Sequence, residues 1–439
     1  MSPQTNATRA VRRAESEAAA PLSGALLGAA TAALQAALPL ARPADTVLRE
    51  FFRDRRLGSR ERGFVAEAVF GVLRHLALAR QLAGGMEPRA VLLAYLARVR
   101  GFSVRELAPL LSADESSWLA QIKAARNDDL PFEVQAELPQ WLVERLRATH
   151  TDADILALGR AMQATAPLDL RVNTLRASRD EVLAALAADG IAAAPTPYSP
   201  VGIRLEHKPA LERHPLFLQG KVEVQDEGSQ LLAFVTQPHR RDLVVDFCAG
   251  AGGKTLALGA LMRSQGRIYA FDVSEKRLAR FAPRLRRSGL SNVHTQRLAS
   301  ENDARIKRLA GKIDRVLVDA PCTGLGTLRR NPDLKWRQSP QTLAELPLRQ
   351  EAILASAARL PKPGARLVYA TCSFLREENE DIVERFLERN PQFVLGDCAA
   401  ILAAQHIALD TGRYLVLSPQ THGTDGFFAA VLERREAPK

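Results

Sequence analysis

Between about residue 21 and residue 150, apolar side chains return every three or four positions, the period of an amphipathic helix. The runs LLGAATAALQAAL (26–38), TVLREFFRDR (46–55) and GFVAEAVFGVLRHLALARQLA (63–83) show it best. Pro131 and Pro139 punctuate the block, and QWLVERLRATH continues the helical pattern after Pro139. From about 151 the texture changes. Residues 168–174 alternate as a strand does, and Ser178 to Glu181 form a capping box whose helix stops at Gly190. A second strand is expected at 202–205, a hairpin at 217–224 and a helix at 229–236. Beyond Arg241, strands predicted at 242–248, 267–272, 292–298, 314–319, 365–371, 413–417 and 427–433 alternate with helices. Those helices fall at about 254–263, 274–288, 303–309, 344–359 and 376–389. The alternation predicts a doubly wound, mainly parallel sheet, and the last two strands an antiparallel edge pair.

Four regions result: a disordered tail (1–20), a helical domain (21–150), a small α+β module of RRM-like type (151–235) and an α/β domain (236–439). An Ala-rich stretch at 18–42 follows Arg9, Arg12 and Arg13 as a signal peptide would. Glu15 and Glu17 interrupt it, and alanine makes a weak apolar core, so it reads as a helix behind a tail.

Composition narrows the partners. Hydrophobic residues at 46% and charged residues at 25% are ordinary for a soluble globular chain. Sixty Lys and Arg stand against 49 Asp and Glu, a net charge of +11, and arginine outnumbers lysine, which suits phosphate recognition. Four cysteines, at 248, 322, 372 and 398, are too few for a disulfide scaffold and imply a reducing compartment. No long apolar run suggests a membrane span, and eight scattered histidines and no C-x-x-C pair give no metal site.

The candidate chemistry begins at DLVVDFCAGAGGKT, 242–255, a strand, a glycine-rich turn and a helix start. Three templates compete. A P-loop lacks its first glycine, because Cys248 stands there, and a dinucleotide fingerprint lacks its last, because Thr255 stands there. The third is the nucleoside-binding loop of methyltransferases that use S-adenosyl-L-methionine (SAM). Asp272, ending the second strand of this sheet, suits the two ribose hydroxyls of either NAD or SAM.

The fourth strand separates them. It ends in Asp319, followed by Ala320, Pro321 and Cys322 on a turn; the next strand ends in Ala370, Thr371, Cys372 and Ser373. Neighbouring parallel strands lie about 5 Å apart, so both thiols can face one pocket. Two thiols and an acid beside a methyl donor suit a pyrimidine whose C5 must be made nucleophilic. A thiolate adds at C6, an acid at N3 takes up the developing charge, and a base later removes the C5 proton.

With 246–255, Asp319 to Cys322 and Ala370 to Ser373 together, the chain resembles the RNA cytosine-C5 methyltransferases, and within them the bacterial RsmB (Fmu/Sun) ribosomal RNA group. The resemblance covers roughly 165–435 and includes Leu170 to Thr174, Val224 to Ser229, Arg329 to Trp336 and Asp425 to Phe428. It implies a Rossmann-like SAM methyltransferase sheet behind an RRM-like module and an N-terminal NusB-like helical domain. The NusB-like part rests on Arg60 to Phe64 and Val69 to Arg74. It also implies Cys372 as nucleophile, Cys322 in product release, and Asp319 on the cytosine with Lys254 beside it. Cys248, Ala249, Gly250, Ala251, Gly252, Gly253, Lys254, Asp272 and Asp319 would hold SAM, and Asp303 would contact adenine, with Glu301 and Asn302 as alternatives. Ala251 stands where the family commonly has proline.

The expected protein is thus a cytoplasmic, monomeric SAM-dependent RNA methyltransferase acting on small-subunit ribosomal RNA. The same chemistry on transfer RNA or another RNA, a nucleotide- or NAD-dependent enzyme, and a non-catalytic RNA-binding assembly factor are the alternatives.

Overall fold

The computed structural model describes residues 22–125 and 129–436, so the expected tail at 1–20 lies outside the described residues. The chain divides into two compact units. One comprises 1–164 with 328–338; the other comprises 165–327 with 339–439.

The first unit is helical. Serine and threonine side chains open several of its helices: Ser23 accepts from the Leu26 amide, and Ser103, Ser112 and Thr151 each form a capping box. Leu27 and Leu34 of helix Gly24–Ala37, Val69 and Val72 of Ser59–Arg74, and Leu92, Leu93 and Leu96 of Pro88–Arg98 form the centre of its core. The helical pattern runs to Gln163, past the expected change of texture at about 151, and the compact unit extends to Ala164. The reason is packing: helix Asp152–Gln163 turns Ile155, Leu158 and Met162 inward, and Gly159 lies so close to the Ala136 carbonyl that a Cβ would overlap it.

The segment 328–338 is built into this unit, although it interrupts the α/β domain in sequence. Lys335, buried, donates to the carbonyls of Arg74 (2.9 Å) and Glu137 (2.5 Å). The Trp336 indole donates to the Leu73 carbonyl, and Asp333 accepts from the Ala44 amide. Burial, offset by Glu137 and reinforced by Arg74, lowers the Lys335 pKa to about 8.

The second unit opens with a four-stranded antiparallel sheet: β1 (Leu168–Val172), β2 (Ala193–Pro195), β3 (Gly202–Leu205) and β4 (Val222–Val224), in the order β2-β3-β1-β4. Helix Arg179–Ala188 packs Val182 and Leu186 against it. The hairpin expected at 217–224 does not form. Pro215 starts a short helix, Pro215–Leu218, and Gly220 turns the chain at positive φ, so that β4 pairs with β1 alone.

The main sheet follows with β5 (Leu243–Asp246), β6 (Arg267–Asp272), β7 (Val293–Arg297), β8 (Ile313–Asp319), β9 (Pro361–Thr371), β10 (Phe393–Leu395), β11 (Leu415–Leu417) and β12 (Phe427–Arg434). Its order is β10-β12-β9-β8-β5-β6-β7, with β11 also on β12. Strands β5 to β9 are parallel, and β12 runs antiparallel to β9, β10 and β11. The expected pair of late strands is present, but β12 is interior: β9 lies along one side of it, and β11 with the unforeseen β10 line the other. Each face of the sheet carries its own apolar core, one through Leu231, Val244, Leu258 and Val368, the other through Val245, Val316, Ile353 and Tyr369. No helix among the described residues is long and apolar enough to cross a membrane.

Candidate active site

Strand β5 ends at Asp246, and the chain turns over the end of the sheet before helix Gly253–Leu261. The Ala249 amide donates to the Phe271 carbonyl (2.7 Å), and the Gly250 amide to Asp272 Oδ2 (2.8 Å). Gly250 and Gly252 take positive φ, +56° and +83°. A Cβ on Gly252 would overlap the Phe281 ring, so only glycine lets the turn lie flat there. Arg284 closes the turn from the next helix, donating to the Ala251 carbonyl (2.8 Å) while its other nitrogens reach buried Glu223 of β4. Arg287 pairs with the same Glu223. Asp272 also accepts from the Ser274 amide (2.7 Å), which fixes its carboxylate at the tip of β6.

Behind the turn lies a buried acid. Asp246 Oδ2 accepts from Thr255 Oγ1 (2.6 Å), and Oδ1 has no hydrogen-bond partner among the described residues. Burial, aided by the nearby Asp319 charge and opposed by Thr255 and Lys254, raises its pKa to about 7. Beside it, Lys254 Nζ donates to Asp319 Oδ2 (2.6 Å). Burial works against the Lys254 charge, but the Asp319 charge and hydrogen bond outweigh it, and the pKa of Lys254 is raised. Burial, with Asp246, Asp319 and Asp272 nearby, pushes the Cys248 thiol well above its usual range.

The two remaining thiols meet. Register pairs Asp319 with Ala370, and the Ala320 amide continues the ladder to the Ala370 carbonyl, so the turns after β8 and β9 leave the sheet side by side. Cys322 Sγ and Cys372 Sγ are 3.4 Å apart, and both cysteines are free. The hydrogen bond with Cys372, burial and the Glu378 charge push the Cys322 thiol well up. Gly326 donates to the Cys372 carbonyl (2.8 Å), tying the turns together again. Cys398, the fourth cysteine, is buried near β11 and β12 and takes no part.

Of the remaining expected residues, Asp303 caps the short helix Ala304–Lys307. Its oxygens accept from the Arg305 (3.0 Å) and Ala299 (3.0 Å) amides. The expected helix at 303–309 is thus a single turn. Glu301 accepts from the Asn302 side chain. Sequence reasoning missed Asp246, Thr255, Arg284, Glu223 and Glu378. Only Asp246 carried a signal, as an acid ending the strand before a glycine turn. No group of His, Cys, Asp and Glu among the described residues could hold a metal ion.

The parallel sheet, the glycine turn with an acid on the next strand, and paired thiols at the ends of β8 and β9 define a Rossmann-like methyltransferase. Residues 233–433 match the family model described as 16S rRNA methyltransferase RsmB/F, and 138–212 match its ferredoxin-like domain. A probable ribosomal RNA small subunit methyltransferase B of Synechocystis sp. is 36% identical over 301 residues, covering 68% of this chain and 67% of that one. The ribosomal RNA small subunit methyltransferase B of Sodalis glossinidius is 38% identical over 268 residues, covering 60% of each chain. The crystal structure of PH0851 superposes with a TM-score of 0.77 at 26% identity, covering 95% of this chain and 100% of that one. The chain belongs to the RsmB/F family of 16S rRNA methyltransferases, whose members transfer a methyl group from SAM to C5 of a cytosine.

Proposed function

We propose that this protein methylates C5 of a cytosine in small-subunit ribosomal RNA through a covalent adduct between Cys372 and C6 of the base. The observation that carries the reading is the pair of free thiols 3.4 Å apart beside the Lys254–Asp319 pair.

The site fits SAM on its own features. A buried carboxylate oxygen of Asp246 lacks a partner, and the glycine turn, at positive φ, lies against the Asp272 carboxylate at the tip of β6. Residues 248–254 would hold the donor's methionine part, Asp272 its ribose, and the 301–303 loop, with Asp303 first, its adenine. When bound, SAM supplies an electrophilic methyl group to C5.

The chain's own residues make C5 able to take it. Cys372, as thiolate, forms the S–C6 bond, and the C5=C6 electrons move toward N3. Asp319 and Lys254 hold a proton between them that passes to N3 as charge develops there. After methylation the C5 proton leaves to a base at the ring face and the S–C6 bond breaks. C5=C6 is restored and the N3 proton returns to the pair. Cys322, kept as a thiol by its surroundings, donates to the sulfur that leaves, so the departing group is a hydrogen-bonded thiolate.

The cytosine must be single-stranded or flipped for Cys372 to approach C6 from the ring face. The helical domain and the small module would hold the RNA backbone, in keeping with the chain's net charge of +11. The protein would act as a monomer in the cytoplasm.

The test is a denaturing gel of Cys322→Ala incubated with SAM and unmodified ribosomal RNA, with wild type and Cys322→Ala/Cys372→Ala alongside. The expected result is an RNA–protein adduct in the single variant only. Methyl transfer by wild type with no adduct from Cys322→Ala would overturn the assignment of the two thiols.

A further inference from the structure

Glu378 has no exposed surface. It lies at the end of the short helix Arg376–Glu378, in the sequence Arg-Glu-Glu-Asn-Glu that reads as a solvated charge run. Its carboxylate faces inward to the turn that carries Cys322. Oε1 accepts from the Thr323 amide (2.9 Å) and from the Gln350 side chain (3.0 Å), and Oε2 accepts from the Thr323 hydroxyl (2.5 Å). Gln350 also donates to the Pro321 carbonyl (3.0 Å), so the residues on both sides of Cys322 are held. All of these donors are neutral, and no ion pair with Glu378 forms among the described residues. A buried carboxylate without a cation is costly, and an apolar side chain would fill the space more favourably. Its return is geometric: three donors converge on one rigid group beside the catalytic turn.

The next residue does the same for the other thiol. Asn379 Oδ1 accepts from Thr371 Oγ1 (2.5 Å), and its amide donates to the Ser373 carbonyl (3.0 Å), bracketing Cys372. Thr323 Oγ1 and Ser373 Oγ lie 3.2 Å apart where the two turns meet. Adjacent residues on one element therefore hold adjacent thiols, one each.

We propose that Glu378 is a positioning residue for Cys322, and so for release of the methylated RNA, while Asn379 positions Cys372 for addition. The proposal rests on the thiol roles given above. Without its anchor, the Pro321–Thr323 turn lets Cys322 drift from the sulfur it must assist. The adduct then forms but breaks slowly. Without Asn379, the Cys372 turn loosens and the adduct forms slowly.

The experiment compares Glu378→Ala, Glu378→Gln, Thr323→Val and Asn379→Ala with wild type and Cys322→Ala. Each is incubated with SAM and unmodified ribosomal RNA and run on a denaturing gel, with single-turnover methyl transfer and S-adenosylhomocysteine affinity measured in parallel. Glu378→Ala should retain ligand affinity and single-turnover transfer within about threefold, slow multiple turnover at least tenfold, and accumulate adduct. Glu378→Gln should restore release, because its amide oxygen can serve the Thr323 and Gln350 donors while its NH2 faces the Thr323 hydroxyl. Asn379→Ala should slow single-turnover transfer at least tenfold without adduct. Thr323→Val removes one anchor with little change of shape. It should trap adduct more weakly, and it decides the matter if Glu378→Ala fails to bind ligand. Free turnover by Glu378→Ala and Thr323→Val, or equal loss of transfer and release, would overturn the proposal. Absence of adduct from Cys322→Ala itself would instead overturn the thiol roles on which it rests.

Discussion

Asp246 makes a prediction that follows chiefly from its burial. It is 1% exposed, one carboxylate oxygen is unpartnered, and its pKa is raised from 3.8 to about 7. Between these values the folded protein holds a proton on Asp246 that the unfolded chain has lost. Stability therefore falls as pH rises through this window and levels off above about pH 7. Over the whole window the change corresponds to a few kcal/mol, and between pH 6 and pH 8 to about 1 kcal/mol, or roughly tenfold in an opening equilibrium.

Asp246→Asn removes the titration and keeps an oxygen for Thr255 to donate to. The assay must report on the sheet itself. The three tryptophans, Trp118, Trp141 and Trp336, all lie in the helical unit, so fluorescence would follow the wrong part of the chain. Hydrogen exchange of the peptide covering β5, without donor, reports local opening directly. Protection of that peptide in Asp246→Asn, divided by that in wild type, should rise about tenfold from pH 6 to pH 8. Effects of the substitution that do not depend on pH cancel in this ratio. A ratio that stays constant across the two pH values would show that Asp246 is already ionised at pH 6 and refute the burial argument.

Other predictions test the supports of the two units. Arg284→Met takes a charged donor from the Ala251 carbonyl and a cation from Glu223, and should weaken S-adenosylhomocysteine binding about tenfold by calorimetric titration. Unchanged affinity would show that the turn holds its shape without Arg284. Lys335→Ala leaves two carbonyls and a cavity in the helical unit, at a cost of about 2–4 kcal/mol, visible as a lower denaturant midpoint by tryptophan fluorescence. With the Lys335 pKa lowered to about 8, the folded protein sheds this proton before the unfolded chain does. Wild-type stability of this unit should therefore rise between pH 8 and pH 10, and that rise should vanish in the variant.

What was legible in the sequence is what short-range pattern determines. Strands β5, β8 and β9 are apolar runs ended by polar residues, so their C-terminal ends, and with them Asp319, Cys322 and Cys372, could be placed by pattern. Glycines at 250 and 252 announced the turn: both take positive φ, and at Gly252 a Cβ would also overlap the Phe281 ring. Partner choice was not legible. Strand β10 is three residues long and exists because β12 offers an edge to Phe393. Residues 217–224 look like two strands around a glycine, yet Pro215 commits the first half to a helix. Segment 328–338 follows the Cys322 turn in sequence but is held by carbonyls of distant helices. Glu378 shows the limit most sharply, since nothing local distinguishes it from Glu377, which is only partly buried, while its own side chain has no exposed surface.

The site has one further consequence that neither thiol shows alone. Two thiolates 3.4 Å apart in a buried pocket repel strongly, so ionising one sulfur raises the cost of ionising the other. In the mechanism proposed above, when Cys372 is the thiolate Cys322 carries a proton, and that proton supplies the hydrogen bond the leaving sulfur requires. Once Cys372 is bonded to C6 its charge is gone, and the constraint on Cys322 is lifted until the bond breaks. The pair therefore alternates with the reaction coordinate without a conformational change. On the proposal above, the hydrogen bonds of Glu378 and Asn379 to the two turns would serve this alternation by keeping the sulfurs at a fixed separation.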